Sequence, residues 1–130
     1  MAHALTYPDV HKALGFLLTW PAPEQASRLV LDRVHELDGN LYELLTPAGD
    51  ALENRYPLAS TLVRRAMIEF TLKAARSSRY QHAAGHLAEC ANLALRIADF
   101  GRHPDHAAYT RALQADHVRK TAFWQEVDRA

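Results

Sequence analysis

Between Pro57 and Arg76 the apolar residues return every three or four positions, as Leu58, Ala59, Leu62, Val63, Ala66, Met67, Phe70 and Ala74. A stripe at that spacing is one face of an α-helix, and the face is stable only when other elements cover it. Ser60, Arg64, Arg65, Glu69 and Lys73 fall on the other side, the side expected to meet solvent. No run elsewhere alternates with period two for long enough to make a strand, so the cover must come from further helices. Alanine, leucine and arginine, which lead the helix-propensity scale, are abundant. An all-α protein follows.

Proline and glycine set the breaks. A first helix is expected from about residue 8 to 19, with Pro8 in its first turn and Val10, Ala13, Leu14, Leu17 and Leu18 inward. Pro21 and Pro23 end it. A second runs from about 23 to 37 through Ala26, Leu29, Val30, Val34 and Leu37, with Gly39 suited to a left-handed residue beyond its end. Residues 40–45 read as a short helical turn, and Thr46-Pro47 as an N-cap and first-turn proline opening a separate helix to about Arg55. The striped helix spans 57 to about 76.

A fifth helix is expected from about 79 to 99, closed by Gly101. Tyr80, Ala84, Leu87, Ala91, Ala94 and Ala98 share one side, while Leu93 and Ile97 define another. Two apolar faces imply a helix sandwiched between neighbours, with its alanines and Gly85 permitting close approach. A sixth begins at Pro104-Asp105, with Ala108, Tyr109, Ala112 and Leu113 inward. The last, from His117 to about Val127, carries Val118, Ala122, Phe123 and Trp124, the final pair reading as its packing anchor. Six to seven helices in short-linked pairs suggest a tetratricopeptide-like stack of antiparallel hairpins. Met67-x2-Phe70, Ala74, Tyr80-x2-Ala83-x3-Leu87-x2-Cys90 loosely follows that family's large and small packing positions. Thr71 and Leu95 depart from it, and no second copy recurs at its period of about 34.

The 130 residues fit one domain, 1–130, with 48% hydrophobic residues to build its core. Neither a secretory leader nor an apolar run long enough for a membrane span is evident, and a single cysteine excludes an internal disulfide framework. A cytoplasmic protein without a membrane is the expectation. Fifteen basic and fifteen acidic side chains balance, which argues against a general nucleic-acid binder. The balance is uneven along the chain. Residues up to Val63 hold four basic and eight acidic side chains, and the remainder eleven and seven. Arg64, Arg65, Lys73, Arg76 and Arg79 cluster around one helix and its exit. They read either as a face paired with the acidic first half or as a docking patch for an acidic partner.

Two constellations could carry chemistry. His82, His86 and Cys90 recur every fourth residue, the spacing at which neighbours on a helix share a metal ion. The drift of about 80° from first to third keeps one ion from reaching all three without ligands from elsewhere. Cys90 beside Leu93 and Ile97 reads more simply as a small buried hydrophobe. The second, Arg76-x5-His82, resembles the signature of the small helical HEPN ribonucleases. That resemblance implies an arginine polarising a scissile phosphate and a histidine shuttling a proton at a homodimer interface. No glycine-rich phosphate loop, nucleophile elbow or paired catalytic carboxylates accompany it. No cofactor is implied.

Two longer stretches carry a further resemblance. One is Tyr56-Pro57-Leu58-Ala59-Ser60-Thr61-Leu62-Val63-Arg64-Arg65-Ala66-Met67-Ile68, continuing through Ala75-Arg76-Ser77-Ser78-Arg79-Tyr80-Gln81-His82-Ala83-Ala84-Gly85-His86-Leu87. The other is Tyr109-x3-Leu113-x3-His117-x-Arg119-Lys120-x2-Phe123-Trp124, with weaker similarity around Leu17-Leu18-Thr19-Trp20-Pro21 and Glu36-Leu37-Asp38-Gly39. Together they resemble a bacterial domain family of unknown function. In such proteins the matching region is typically the C-terminal part of a longer chain, and the resemblance assigns no catalytic residue. The expectation is a non-enzymatic scaffold or protein-interaction module with an acidic protein partner and a capacity to homodimerise. The alternative is a HEPN-like ribonuclease using Arg76 and His82.

Overall fold

A computed structural model describes residues 9–19 and 22–130. Seven α-helices and no strand occur among them: α1 (Val10–Thr19), α2 (Pro23–Arg33), α3 (Tyr42–Leu52), α4 (Pro57–Lys73), α5 (Tyr80–Ala94), α6 (His106–Asp116) and α7 (Thr121–Arg129). Single 3-10 turns at Val34–Glu36 and Ser77–Arg79 follow α2 and precede α5. The expected helix start at Pro8 and the break at Pro21 lie outside the described residues. Asp9 Oδ1 accepts from the backbone N–H groups of His11 and Lys12 just before α1, as a capping carboxylate does.

The stripe that opened the sequence belongs to the central helix. α4 packs against α2 and α3 on one side and α5 on another. Its first half, Ala59 to Met67, joins α1, α2 and α3 in one apolar cluster. Its second half contributes Ile68 and Leu72 to another cluster with α5, α6 and α7. A helix covered from several sides has little polar side left. Ser60, Arg64 and Arg65, expected at the surface, are buried with the stripe. Ser60 Oγ meets its need for a partner by donating to the Gly49 carbonyl at 2.8 Å.

Contacts run in opposite directions along each pair. Thr46 meets Met67 and Gly49 meets Ser60 across α3 and α4. Thr61 meets Cys90 and Arg64 meets His86 across α4 and α5. Both pairs are therefore antiparallel.

Several expected boundaries move. Residues 42–52 form one continuous helix with Pro47 inside it, not two pieces broken at Thr46-Pro47. Leu45, Ala48 and Leu52 line one face across the proline, and their burial outweighs the hydrogen bond that Pro47 cannot donate. α2 tightens into a 3-10 turn at Val34. α5 stops at Ala94, well short of 99, and α7 starts at Thr121 after a turn from His117.

Gly39 does not take a left-handed conformation, since among the described residues only Ala75 and Gly101 have positive φ. Its role is clearance: a Cβ there would lie 2.1 Å from the Ala66 carbonyl oxygen and 2.6 Å from Phe70 Cβ. Gly85 performs no such role, because its face is open.

α5 is sandwiched as expected, between α4 and α7. Its buried residues are Tyr80, Ala83, Ala84, Leu87, Cys90 and Leu93, with Ala91 and Ala98 outside. The Phe123-Trp124 pair is the anchor of α7. Phe123 is wholly buried with its ring 5.9 Å from Tyr80, and Trp124 Nε1 donates to the His117 carbonyl at 3.0 Å. At α6, Asp105 caps the N-terminus by accepting from Ala108 N at 2.9 Å.

Candidate functional site

Adjacent arginines on α4 diverge into different surroundings. Successive helical residues point about 100° apart, so Arg64 turns toward α3 and α5 while Arg65 turns toward α6. Arg64 is only 3% exposed and engaged through both terminal nitrogens, its Nε alone being buried without a partner: Nη2 donates to Asp50 Oδ1 at 3.0 Å and to Glu53 Oε1 at 2.9 Å. Its Nη1 lies 3.2 Å from His86 Nδ1. The guanidinium thus ties together α3, α4 and α5, and its charge is answered by acids of the first half.

Arg65 is 4% exposed and has no such partners. Its Nε and Nη2 are buried without a hydrogen bond. What surrounds it is aromatic: the guanidinium carbon lies 4.2 Å from the centre of the Tyr109 ring and 5.8 Å from that of Phe100. Burial lowers its affinity for a proton. The side chain borders a cavity of about 440 Å³, whose other polar walls include Asp38, Glu69, Lys73 and His103. Tyr109 Oη donates to Glu69 Oε2 at 3.1 Å. Burial, then the Glu69 charge, drives the phenol well above its usual range.

The remaining cations form an edge where α4 ends. Lys73 and Arg76 are exposed and Arg79 is partly so. Arg79 lies 3.8 Å from the centre of the Tyr42 ring, and Arg76 lies 5.5 Å from that of Phe70. Arg76 and His82 line the same small cavity of about 20 Å³, joined by Arg79 and His86. A wider groove of about 430 Å³ runs beside it along α5, past Arg79, His82, His86 and Glu89. The five clustered cations are therefore not one face: Arg64 and Arg65 go inside, and Lys73, Arg76 and Arg79 stay at the rim.

The spacing of His82, His86 and Cys90 does not make a ligand set. Cys90 is buried against α4 with Sγ 3.9 Å from the Thr61 carbonyl, and burial pushes its thiol up to about 12. A thiol held protonated is a poor metal ligand and nucleophile. His86 Nδ1 faces the Arg64 guanidinium, and His82 is exposed. Among the described residues, no group of three or more His, Cys, Asp or Glu converges as a metal site would require.

Charge separation along the chain has a structural use. Arg96 donates to the carbonyls of Glu53 and Asn54 just beyond α3, and Arg102 donates to that of Leu31 in the last turn of α2. Basic side chains at helix C-termini satisfy orphan carbonyls and favour the negative end of the dipole. Three of the second half's basic side chains, Arg64, Arg96 and Arg102, thus bind the first half. Sequence reading missed Tyr109, Glu69 and His103 as cavity residues. Tyr109 and His103 sit far along the chain from Arg65 and no local spacing announces that meeting, whereas Glu69 lies one turn on along α4, at a spacing that puts it on the same side.

Among the described residues, no helix is long and apolar enough to cross a membrane. No curated protein matches the chain, and no solved structure does. A family model described as a family of unknown function, DUF6880, matches residues 1–126. The chain, with its all-helical fold organised around α4, belongs to that family.

Proposed function

We propose that the chain is a single-domain, non-catalytic interaction module that docks an acidic protein partner along the Arg76–Arg79 edge. The observation carrying this reading is that Arg76 and Arg79 rest on aromatic rings and make no ion pair among the described residues. An arginine held over a ring keeps its donors directed outward, pre-organised for carboxylates. The antiparallel α3–α4 and α4–α5 pairs supply the rigid platform, arranged as a tetratricopeptide-like stack. Its single cysteine, buried and protonated, suits a bacterial cytoplasm. The same edge serves for homodimerisation if the partner is a second copy presenting its acidic first half.

The test is fluorescence anisotropy with a labelled glutamate-rich peptide. Binding should weaken as salt rises and should be lost in the R76E/R79E double variant. Equal binding by wild type and variant overturns the docking edge.

A second reading has one observation in its favour. Arg76 and His82, six positions apart, border one cavity, as a HEPN-like ribonuclease pair would. Its volume admits a water but not a nucleotide, so the reaction would need the wider groove beside it. RNA-cleavage assays on wild type, R76A and H82A distinguish the readings. Turnover lost in both variants supports the enzyme, and equal or absent turnover in all three removes it.

A further inference from the structure

A buried guanidinium without hydrogen bonds is costly, because a charge removed from water needs opposite charge and acceptors to replace it. Arg65 has neither. Its ring contacts with Tyr109 and Phe100 supply a weak electrostatic attraction but accept no conventional hydrogen bond. Of the acids in the cavity wall, Glu69 accepts from Tyr109 Oη, and neither it nor Asp38 forms an ion pair with Arg65. Arg64, its neighbour in sequence, is equally buried and holds two carboxylates. The contrast leaves a positive charge without a hydrogen-bonded partner beside a cavity of about 440 Å³, which is the size of small-molecule sites.

We propose that this cavity binds a small organic monocarboxylate, with its carboxylate at Arg65 and its carbon body against Leu37, Leu62 and Phe70. Three features choose that chemistry. The cavity carries two cations, Arg65 and Lys73, and two acids, Asp38 and Glu69. These charges cancel, so the two acids disfavour the double charge of a phosphate more than the single charge of a carboxylate held at Arg65. The planar guanidinium matches a carboxylate's geometry. Apolar side chains, Leu37, Leu62 and Phe70 among them, share the wall with the polar ones, so a bare inorganic ion would leave them uncovered. Gly39 keeps the α4 side of the cavity close: its backbone lies directly against Ala66 and Phe70.

The test uses isovalerate as probe, with inorganic phosphate and chloride as comparisons at constant ionic strength. Binding is read from the backbone amide resonances of Gly39, Glu69 and Phe70 in the cavity wall of the labelled protein. Isovalerate should move those resonances saturably at millimolar concentration, and chloride should not. R65M should lose the saturable response. Should R65M fail to fold, K73M serves: Lys73 is exposed at the rim, and its removal should weaken isovalerate binding about fivefold or more. Three results overturn the proposal: no saturation with isovalerate, tighter binding of phosphate than of isovalerate, or unchanged isovalerate affinity in K73M. Failure here leaves the docking edge intact, because that edge is read separately, by peptide binding at Arg76 and Arg79.

Discussion

Arg64 Nη1 and His86 Nδ1 face each other at 3.2 Å across the α4–α5 contact. An arginine has only donors, so His86 must offer a lone pair at Nδ1 and carry its proton on Nε2. The imidazole is therefore held neutral. Burial first, and the Arg64 charge second, bring its pKa from 6.5 to about 4. Among the described histidines, His86 is the one whose titration the fold shifts so far.

Stability should consequently fall as acid is added. In the unfolded chain His86 takes up a proton near pH 6.5, while the folded protein resists until about pH 4. The contribution is fully present above 6.5 and is lost as pH falls from there through 4. A loss on the order of 2 kcal/mol is expected from this residue. Urea unfolding at pH 7 and pH 4.5 should show that decrement in wild type and a smaller one in H86Q. Equal pH dependence in both would remove His86 as its source.

Replacing Arg64 with methionine should destabilise the protein by about 2 kcal/mol, through lost buried hydrogen bonds and packing. The abandoned acids do not add a large penalty, because Asp50 is 66% and Glu53 36% exposed and both can hydrate. The denaturant midpoint should drop with an unchanged slope. The same variant should raise the His86 pKa, which an NMR titration would follow. A midpoint equal to wild type contradicts the three-helix tie.

Gly39→Ala should cost about 3 kcal/mol. The added methyl would overlap the Ala66 carbonyl and Phe70 Cβ, and backbone atoms of a central helix cannot step aside. Thermal unfolding measures the effect. A variant as stable as wild type would mean that the loop before α3 can lift from α4 without loss.

Ala75→Gly should act in the opposite direction. Ala75 sits at φ 53° beyond α4, with Arg76 N bonded to the Thr71 carbonyl at 3.0 Å and Ala75 N to that of Leu72 at 3.2 Å. This is the six-to-one and five-to-two pattern in which glycine is normally found. Removing the Cβ should stabilise by about 0.5 to 1 kcal/mol, visible as a higher melting temperature. A lower one would show that chain entropy in the unfolded state outweighs the relief.

The periodicity of residues 57–76 was enough to predict a helix that other helices must cover, and the breaks at Pro23, Pro57 and Pro104-Asp105 located three helix starts. The family resemblance was likewise carried by contiguous residues. Spacing could not tell which polar residues of α4 would be buried. A single stripe predicts one covered face, and α4 is covered by α2, α3 and α5, so Arg64 and Arg65 go inside with it. Pro47 misled for a related reason: local chemistry favours a break, while burial of Leu45, Ala48 and Leu52 holds one helix through it.

What the amino-acid sequence determined by itself is helix, because that depends on neighbours three and four residues apart. What only the tertiary structure decided is the fate of each charge. Arg64 and Arg65 are identical and adjacent, yet one meets Asp50, Glu53 and His86 and the other meets Tyr109 and a cavity. A turn of about 100° between successive side chains separates them, and the partners at the end of that turn come from helices distant in sequence.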